Sequence, residues 1–437
     1  MELRGRKILI VGFGKSGQAA ARYCLKQGAI VTVTDEKPAE EFKWTADSEQ
    51  WAGKTYFGEH PLHLFEKADI IVVSPGVSLN IRGLQLARKK GIPIIGEMEL
   101  ILNEIKTPVI AITGTNGKST VTTLIGEMLR EGGKKVLVGG NLGTPLLELL
   151  YPDLSAPSAV HCSLITDYLV LEVSSYQLEI TPSFKPYIGI LLNITPDHLD
   201  RYASYQDYID AKGLIIKNQD QNDFFVFNKD DENAVIISKK SKSKRIGFSV
   251  KEPPVEIDLS KAKITGIHNQ ENIIAASIAA NIAGVSWKAI QKTIDTFKGL
   301  AHRNQFVREV RGVKFYDDSK GTNVGAVVKS LEGFDSKVIL IAGGLDKGGS
   351  YDPLRPLVKE KVKSLVLIGA AQKIIANALG DLTDVVMADS MAAAVREASV
   401  RAVSGDIVLL SPECASFDMF KDYADRGNKF AEEVMKL

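Results

Sequence analysis

Cysteine is scarce. Of 437 residues only Cys24, Cys162 and Cys414 carry thiols, far apart along the chain. That spacing excludes a disulfide framework and a CxxC metal site, and fits small buried thiols in a reducing compartment. Neither sign of charge is in excess: 54 Lys and Arg against 53 Asp and Glu leave a net charge of +1. So even a balance argues against nucleic-acid partners or an anionic membrane surface, while leaving room for a local basic pocket. No apolar run approaches the ~20 residues of a membrane helix. The opening MELRGRKILIVGFG lacks an apolar signal region followed by a small-residue cleavage site. A cytoplasmic monomer with no integral membrane contact is expected. Repeats of 20–50 residues and low-complexity tracts are absent as well, which excludes solenoids and disordered tails.

What is present is alternation of strand and helix. Residues 7–11 form a short continuous apolar run of the kind buried parallel strands have. Residues 16–27 read as a helix and 30–34 and 69–74 as strands, the latter closed by Pro75-Gly76. A helix over 82–90 and a strand over 92–95 complete a Rossmann-like unit, 1–96. A second unit, 97–299, has strands at 109–113, 168–173 and 187–194 and helices at 118–131, 204–217 and 269–283. Within it, 151–163 is rich in Pro and Ser and reads as a loop or insertion. The basic run 239–245 reads as a solvated turn rather than a phosphate site. A third unit, 300–437, has strands at 313–317, 338–342, 365–368, 385–387 and 407–410, with helices near 325–331, 391–402 and 419–434. The expected fold class is α/β with three domains: a Rossmann-like N-terminal domain, a central phosphate-loop ATPase-type parallel sheet, and a Rossmann-like C-terminal domain.

Two glycine loops carry ligand signals. Gly12-Phe13-Gly14-Lys15-Ser16-Gly17 matches G-x-G-x-x-G between strand and helix, and Asp35 ends the next strand where an acidic ribose ligand would sit. A nicotinamide cofactor, another nucleotide diphosphate or a bare tight turn all satisfy it. The second loop, Thr113-Gly114-Thr115-Asn116-Gly117-Lys118-Ser119-Thr120, also follows a strand and opens a helix. Its amides suit phosphate oxygens, Lys118 the β/γ-phosphates, and Ser119 or Thr120 a Mg²⁺ ion. Ile112 stands where the general pattern has its first glycine, so the loop is a shortened variant.

Three further clusters narrow the chemistry. Glu172 ends a buried strand, where a Mg²⁺-binding carboxylate of a nucleotide site belongs; a salt-bridged glutamate is the plain alternative. Residues 193–202 bring His198 among acidic neighbours after another strand, which suits a metal or substrate role. Residues 317–323, 343–349 and 411–418 are polar loops after three C-terminal strands. Turn chemistry explains each singly; together they suggest one rim that binds an anionic substrate.

Taken in order along nearly the whole chain, these motifs resemble the Mur ligase family, and within it the branch that adds D-glutamate in peptidoglycan synthesis. TGTNGKST (113–120) is similar to the family's ATP loop, shared with folylpolyglutamate synthases. LEVSSYQLE (171–179) and NITPDHLDRY (193–202) resemble its next two signatures, and Tyr208-Ile209-Asp210-Ala211-Lys212 the segment whose lysine is carbamylated. Residues 266–272 and His302-Arg303 resemble ATP-site motifs. GFGKSG, SPGV from Ser74 and LLSPECASFDMF (409–420) resemble the D-glutamate branch.

The resemblance implies ATP and two Mg²⁺ ions as cofactors, and UDP-N-acetylmuramoyl-L-alanine and D-glutamate as substrates. Lys118 would neutralise the γ-phosphate in a loop of Gly114, Thr115, Asn116, Gly117, Ser119 and Thr120, with Asn269, Asn272, Arg303 and Asp318 around the nucleotide. Ser119 and Glu172 would hold one Mg²⁺, His198 and carbamylated Lys212 the other. An unmodified lysine, with pKa ~10.4, is a cation and cannot ligate Mg²⁺. Gly14, Lys15, Ser16, Asp35, Gly76, Asn141, Ser174 and Gln177 would meet the UDP-sugar. Thr322, Lys347, Ser416 and Tyr423 would bind D-glutamate, with Lys320 catalytic beside them; Tyr423 replaces an expected Phe. Outside this reading stand an oxidoreductase built on GFGKSG and Asp35, a non-enzymatic nucleotide switch, and a cousin such as a folylpolyglutamate synthase.

Overall fold

Apolar runs bounded by glycine turns become parallel strands buried on both faces. The computed structural model describes residues 1–42, 53–141, 144–151, 166–197, 201–264, 266–346 and 348–437. Its first sheet holds β1 (Lys7–Val11), β2 (Ile30–Asp35), β3 (Lys54–Phe57), β4 (Ile70–Val73) and β5 (Ile94–Ile95), in the parallel order β3-β2-β1-β4-β5. That order turns at β1, and the first glycine loop leaves its end.

The second sheet holds β6 (Val109–Thr113), β7 (Val136–Gly140), β8 (Tyr168–Glu172), β9 (Ile188–Leu191), β10 (Phe224–Asn228) and β11 (Lys244–Phe248). Its order, β11-β10-β9-β6-β8-β7, puts β6 between β9 and β8, so the phosphate loop opens at the middle of the sheet. The third holds β12 (Gln305–Val310), β13 (Val313–Asp317), β14 (Val338–Gly343), β15 (Val362–Ile368), β16 (Asp384–Met387) and β17 (Ile407–Leu410), ordered β12-β13-β17-β14-β15-β16. Among the described pairs only β12–β13 is antiparallel.

The first two sheets share a core. One buried cluster runs from Ile8, Ile10 and Tyr23 through Ile101 and Leu147 to Tyr208 and Phe225. The third sheet keeps its own clusters, around Leu340 and Leu367 on one face and Phe315 and Phe430 on the other.

Strands β3, β7, β10, β11 and β12 are additions to the sequence reading. β3, β11 and β12 are edge strands with half-exposed, mixed sequences (KTYF, KRIGF, QFVREV), so they lack the continuous apolar run of a central strand. Lys244 and Arg245, read as the end of a basic turn, instead pair with Phe224 and Phe225 on β10. The last helix is Tyr423–Met435, later than expected, because the Asp422 side chain caps it by accepting from Asp425 N. Of the Pro- and Ser-rich stretch 151–163, residues 152–163 lie outside the described residues.

Candidate active site

The phosphate loop is held open by its neighbours. Gly117 caps the helix Lys118–Glu131 in a left-handed conformation (φ 85°), and a Cβ there would fall 2.2 Å from Asn272 Oδ1. From the loop after β9, Asn193 clasps it: Thr115 N donates to Asn193 O (2.9 Å) and Asn116 N to Asn193 Oδ1 (2.8 Å). Lys118 Nζ donates to Gly114 O (2.9 Å) and Thr115 O (2.8 Å), and burial lowers its pKa. Thr120 faces the adjoining cavity.

Ser119 is a junction of charges. Its hydroxyl donates to Glu172 Oε2 (2.6 Å) and accepts from Arg303 Nη2 (3.0 Å), with Lys320 Nζ at 3.5 Å. Glu172 ends β8 opposite Ile112, and its other oxygen accepts from Asn141 Nδ2 (2.9 Å). Burial pushes the Glu172 carboxyl up, but Lys118, Ser119, Asn141 and Arg303 outweigh it and hold it below the usual range. Lys212, 2% exposed, donates to Gly114 O (2.8 Å) and lies 4.5 Å from the Tyr208 ring. Burial first, then the Lys118 charge, drive its pKa well below that of a free lysine. Ser119 and Glu172 offer the hard oxygen donors that Mg²⁺ prefers. His198 lies outside the described residues, and among those described no group of three His, Cys, Asp or Glu is arranged around a metal position.

The third sheet supplies Arg303, on a loop where His302 and Asn304 adopt left-handed backbone (φ 62° and 44°). His302 Nδ1 anchors the kink on Asp317 Oδ2 at 2.6 Å. Burial lowers the Lys320 amine to about 8, and its Nζ lies 4.9 Å from the Tyr423 ring. Asp318 accepts from Ser330 Oγ (2.6 Å) and Ser411 Oγ (2.7 Å), and burial raises its carboxyl to about 6. A cavity of about 230 Å³ between the second and third sheets collects Asn116, Gly117, Asn269, Asn272, Arg303 and Asp318. His268 and Asp230 also wall this cavity; His268 falls in the 266–272 stretch read as an ATP-site motif, whereas Asp230 was not singled out.

Arg426 was missed too. Fully buried, it donates to Ser319 O (2.9 Å), Ser319 Oγ (3.0 Å) and Cys414 O (3.1 Å), with Gly343 O and Ala415 O at 3.4 and 3.5 Å. It ties the three rim loops together. The one signal for it in the sequence is an arginine on the inward face of a helix, beside Gly427, where a Cβ would strike His302 Nδ1 at 2.2 Å.

At the first sheet, a Cβ on Gly17 would lie 1.9 Å from Gly12 O, whereas Gly14 has open space around it. The loop therefore packs through Gly17 and offers its backbone at Gly14, beside Lys15 and Ser16. Asp35 is already engaged: Oδ2 accepts from Phe13 N (2.6 Å) and Oδ1 from Lys37 N (2.9 Å). Gly76 is exposed, and Arg201 reaches from the second sheet to donate to Pro75 O (2.5 Å) while stacking 3.6 Å over Tyr176. Ser174 and Gln177 cap each other at the helix Ser175–Glu179.

The residues expected for D-glutamate are not gathered in one space. Thr322 lines a second cavity, of about 510 Å³, while Tyr423 stands by Lys320 and Ser416 is 3% exposed under its own loop. Lys347 lies outside the described residues.

Comparison with known proteins bears on this site. Family profiles match in sequence order: Mur ligase MurD-like N-terminal domain over residues 6–96, Mur ligase middle domain over 112–280, and Mur ligase glutamate ligase domain over 302–414. The chain is 45% identical, across 100% of its length and 99% of the relative's, to the UDP-N-acetylmuramoylalanine--D-glutamate ligase of Geotalea daltonii. The chain belongs to the Mur ligase family. The enzyme of the same name from Desulfosudis oleivorans is 41% identical to this Mur ligase, over 100% and 98% of the two chains. Its fold is that of solved Mur ligases. The UDP-N-acetylmuramate-alanine ligase MurC of Thermotoga maritima matches at TM-score 0.59 and 18% identity over 99% of each chain. The MurF ligase of that organism, solved with ADP, matches at 0.59 and 17% over 100% and 96%. This membership makes the chain a ligase and sets aside the oxidoreductase reading of GFGKSG. Among the described residues no helix is long and apolar enough to cross a membrane.

Proposed function

We propose that this Mur ligase joins D-glutamate to UDP-N-acetylmuramoyl-L-alanine with ATP, in peptidoglycan precursor synthesis. It acts as a cytoplasmic monomer of three domains, 1–96, 97–299 and 300–437. The observation that carries the reading is the Ser119 hydroxyl, where Glu172 of the second sheet meets Arg303 and Lys320 of the third at the head of a phosphate loop. The relatives' names support the choice of substrates.

Two anions must meet, the substrate carboxylate and the γ-phosphate. Lys118 and Arg303 lower their repulsion in a site shielded from water. Mg²⁺, when bound, adds charge at the phosphate oxygens, with Ser119 and Glu172 holding one ion and His198 and Lys212 a second. A carboxylate oxygen attacks the γ-phosphorus as the bond to ADP breaks, which leaves an acyl phosphate. The amine of D-glutamate, once deprotonated, attacks that carbonyl, its nitrogen gives up a further proton to solvent, and the tetrahedral intermediate expels phosphate.

For Lys212, burial and the Lys118 charge favour the free amine, the form that adds CO₂. As a carbamate it becomes an anion beside Lys118 and offers an oxygen to the metal. Asn269, Asn272 and Asp318 surround the nucleotide. Gly14, Lys15, Ser16, Asp35, Gly76, Asn141, Ser174 and Gln177 hold the UDP-sugar, and Thr322, Lys347, Ser416 and Tyr423 hold D-glutamate. The third domain closes over ATP and brings Lys347 and Ser416 to the central site.

The test is phosphate release with UDP-N-acetylmuramoyl-L-alanine and D-glutamate, against L-glutamate, L-alanine and L-lysine. Release is expected with D-glutamate alone. Equal release with any other amino acid, or none with D-glutamate, refutes the reading.

A further inference from the structure

The cavity that Thr322 lines has an acidic end, whose residues the mechanism above does not use. Glu413 stands there, on the loop after β17. It is 4% exposed, and neither carboxyl oxygen has a hydrogen-bond partner among the described residues. A buried carboxyl with both oxygens unpaired is unfavourable and points to a missing partner. Asp346 lines the same end. Its carboxylate accepts from Tyr351 OH (2.7 Å) and Gly348 N (3.0 Å), which leaves lone pairs on both oxygens.

Two carboxyl groups on one space select the charge of whatever fills it. A carboxylate or phosphate would be repelled by Asp346, and an apolar group would leave Glu413 unpaired. A compact cation satisfies both. A divalent metal is not favoured, because among the described residues no third acidic, His or Cys ligand joins the pair.

We propose that Asp346 and Glu413 form a monocation site that takes an ammonium group, either that of the incoming amino acid or a free ion of that size, K⁺ or NH₄⁺. Burial, and then Asp346, raise the Glu413 carboxyl to about 8. A cation that enters therefore ionises it, and the proton leaves to solvent as the ion pair forms.

The amino-acid arm rests on the proposed ligation; the ion arm does not. The experiment uses the full chain as wild type, Glu413→Gln and Asp346→Asn, in KCl, NH₄Cl and tetramethylammonium chloride at equal ionic strength. Phosphate release and thermal unfolding are both read. If the amino acid's ammonium is the occupant, each variant raises the KM for D-glutamate at least about tenfold, while kcat and the KM for ATP stay within about twofold. If a free ion is the occupant, wild type unfolds about 2 °C or more higher in KCl or NH₄Cl than in tetramethylammonium chloride, and both variants lose that difference. Variants that match wild type in KM and in salt response overturn the proposal, as does a wild type with neither property. A wild type that turns over no amino acid yet keeps the salt response refutes the ligase reading and supports the ion site.

Discussion

The two seams of this molecule differ in kind. Between the first and second sheets the seam is a continuous apolar core, with Ile101 and Leu147 fully buried in it and Tyr23 donating to Glu104 at 2.5 Å. Between the second and third sheets the seam is polar: Arg303 and Lys320 on Ser119, and Asn323 Nδ2 donating to Asp197 Oδ2 (3.1 Å), around two cavities. Apolar area removed from water is a large, non-directional contribution to stability. A few hydrogen bonds across a wet cavity add little net stability but direct chemistry strongly. The apolar seam therefore binds the first two sheets together, and the polar seam suits the closure proposed for the third domain.

Substitutions at the two seams can break this contrast. Lys118→Ala at the polar seam is expected to lower turnover at least about a thousandfold, with the thermal midpoint nearly unchanged, because its hydrogen bonds go to loop carbonyls and Arg303 still faces Glu172. Steady-state phosphate release and calorimetry on one sample check both halves. Leu147→Ala at the apolar seam should do the reverse. It should destabilise by about 2–5 kcal/mol in denaturant titration, with kcat per folded molecule preserved.

A pH profile sharpens the picture. Lys320 titrates near 8, so it is charged below that value and neutral above it. If its charge assists transfer, kcat/KM falls about tenfold per pH unit above about 8. Lys320→Arg should move that limb upward at a lower plateau, since a guanidinium stays protonated but cannot reproduce an ammonium's geometry. The same limb in both proteins would exclude Lys320 as its source. The smallest effect is expected from Arg22→Ala. That residue's pair with Glu148 (2.7 Å) also spans the first seam, but both side chains are about one-third exposed, and urea unfolding should register a change under about 1 kcal/mol. A larger loss would mean that charge, not the apolar core, holds that seam.

Sequence reading reached far at the second sheet and less far elsewhere, for physical reasons. The loop from Gly114 to Thr120 is contiguous, and its strand and helix need no distant partner to be read. Glu172 was legible because it ends an apolar run. Edge strands such as β3 and β12 face solvent along one side, and their mixed sequences carry no strong period. Ser330 clasps Asp318 from a separate helix, so nothing local marks it. Asp35 shows the converse limit. Its position is right for a ribose ligand, but only the folded turn reveals that Phe13 N already occupies one oxygen.

Arg426 grips backbone rather than side chains: among the described residues, every partner apart from the Ser319 hydroxyl is a peptide oxygen. The rim is thereby anchored in a way indifferent to which amino acids compose it. Substitutions can rewrite the loops' side chains, and on the proposed reading the preferred amino acid, while the scaffold beneath stays put. Resistance to a compound that presses on those side chains would then be cheap to evolve, whereas one that displaces the guanidinium would leave the lineage no ready escape.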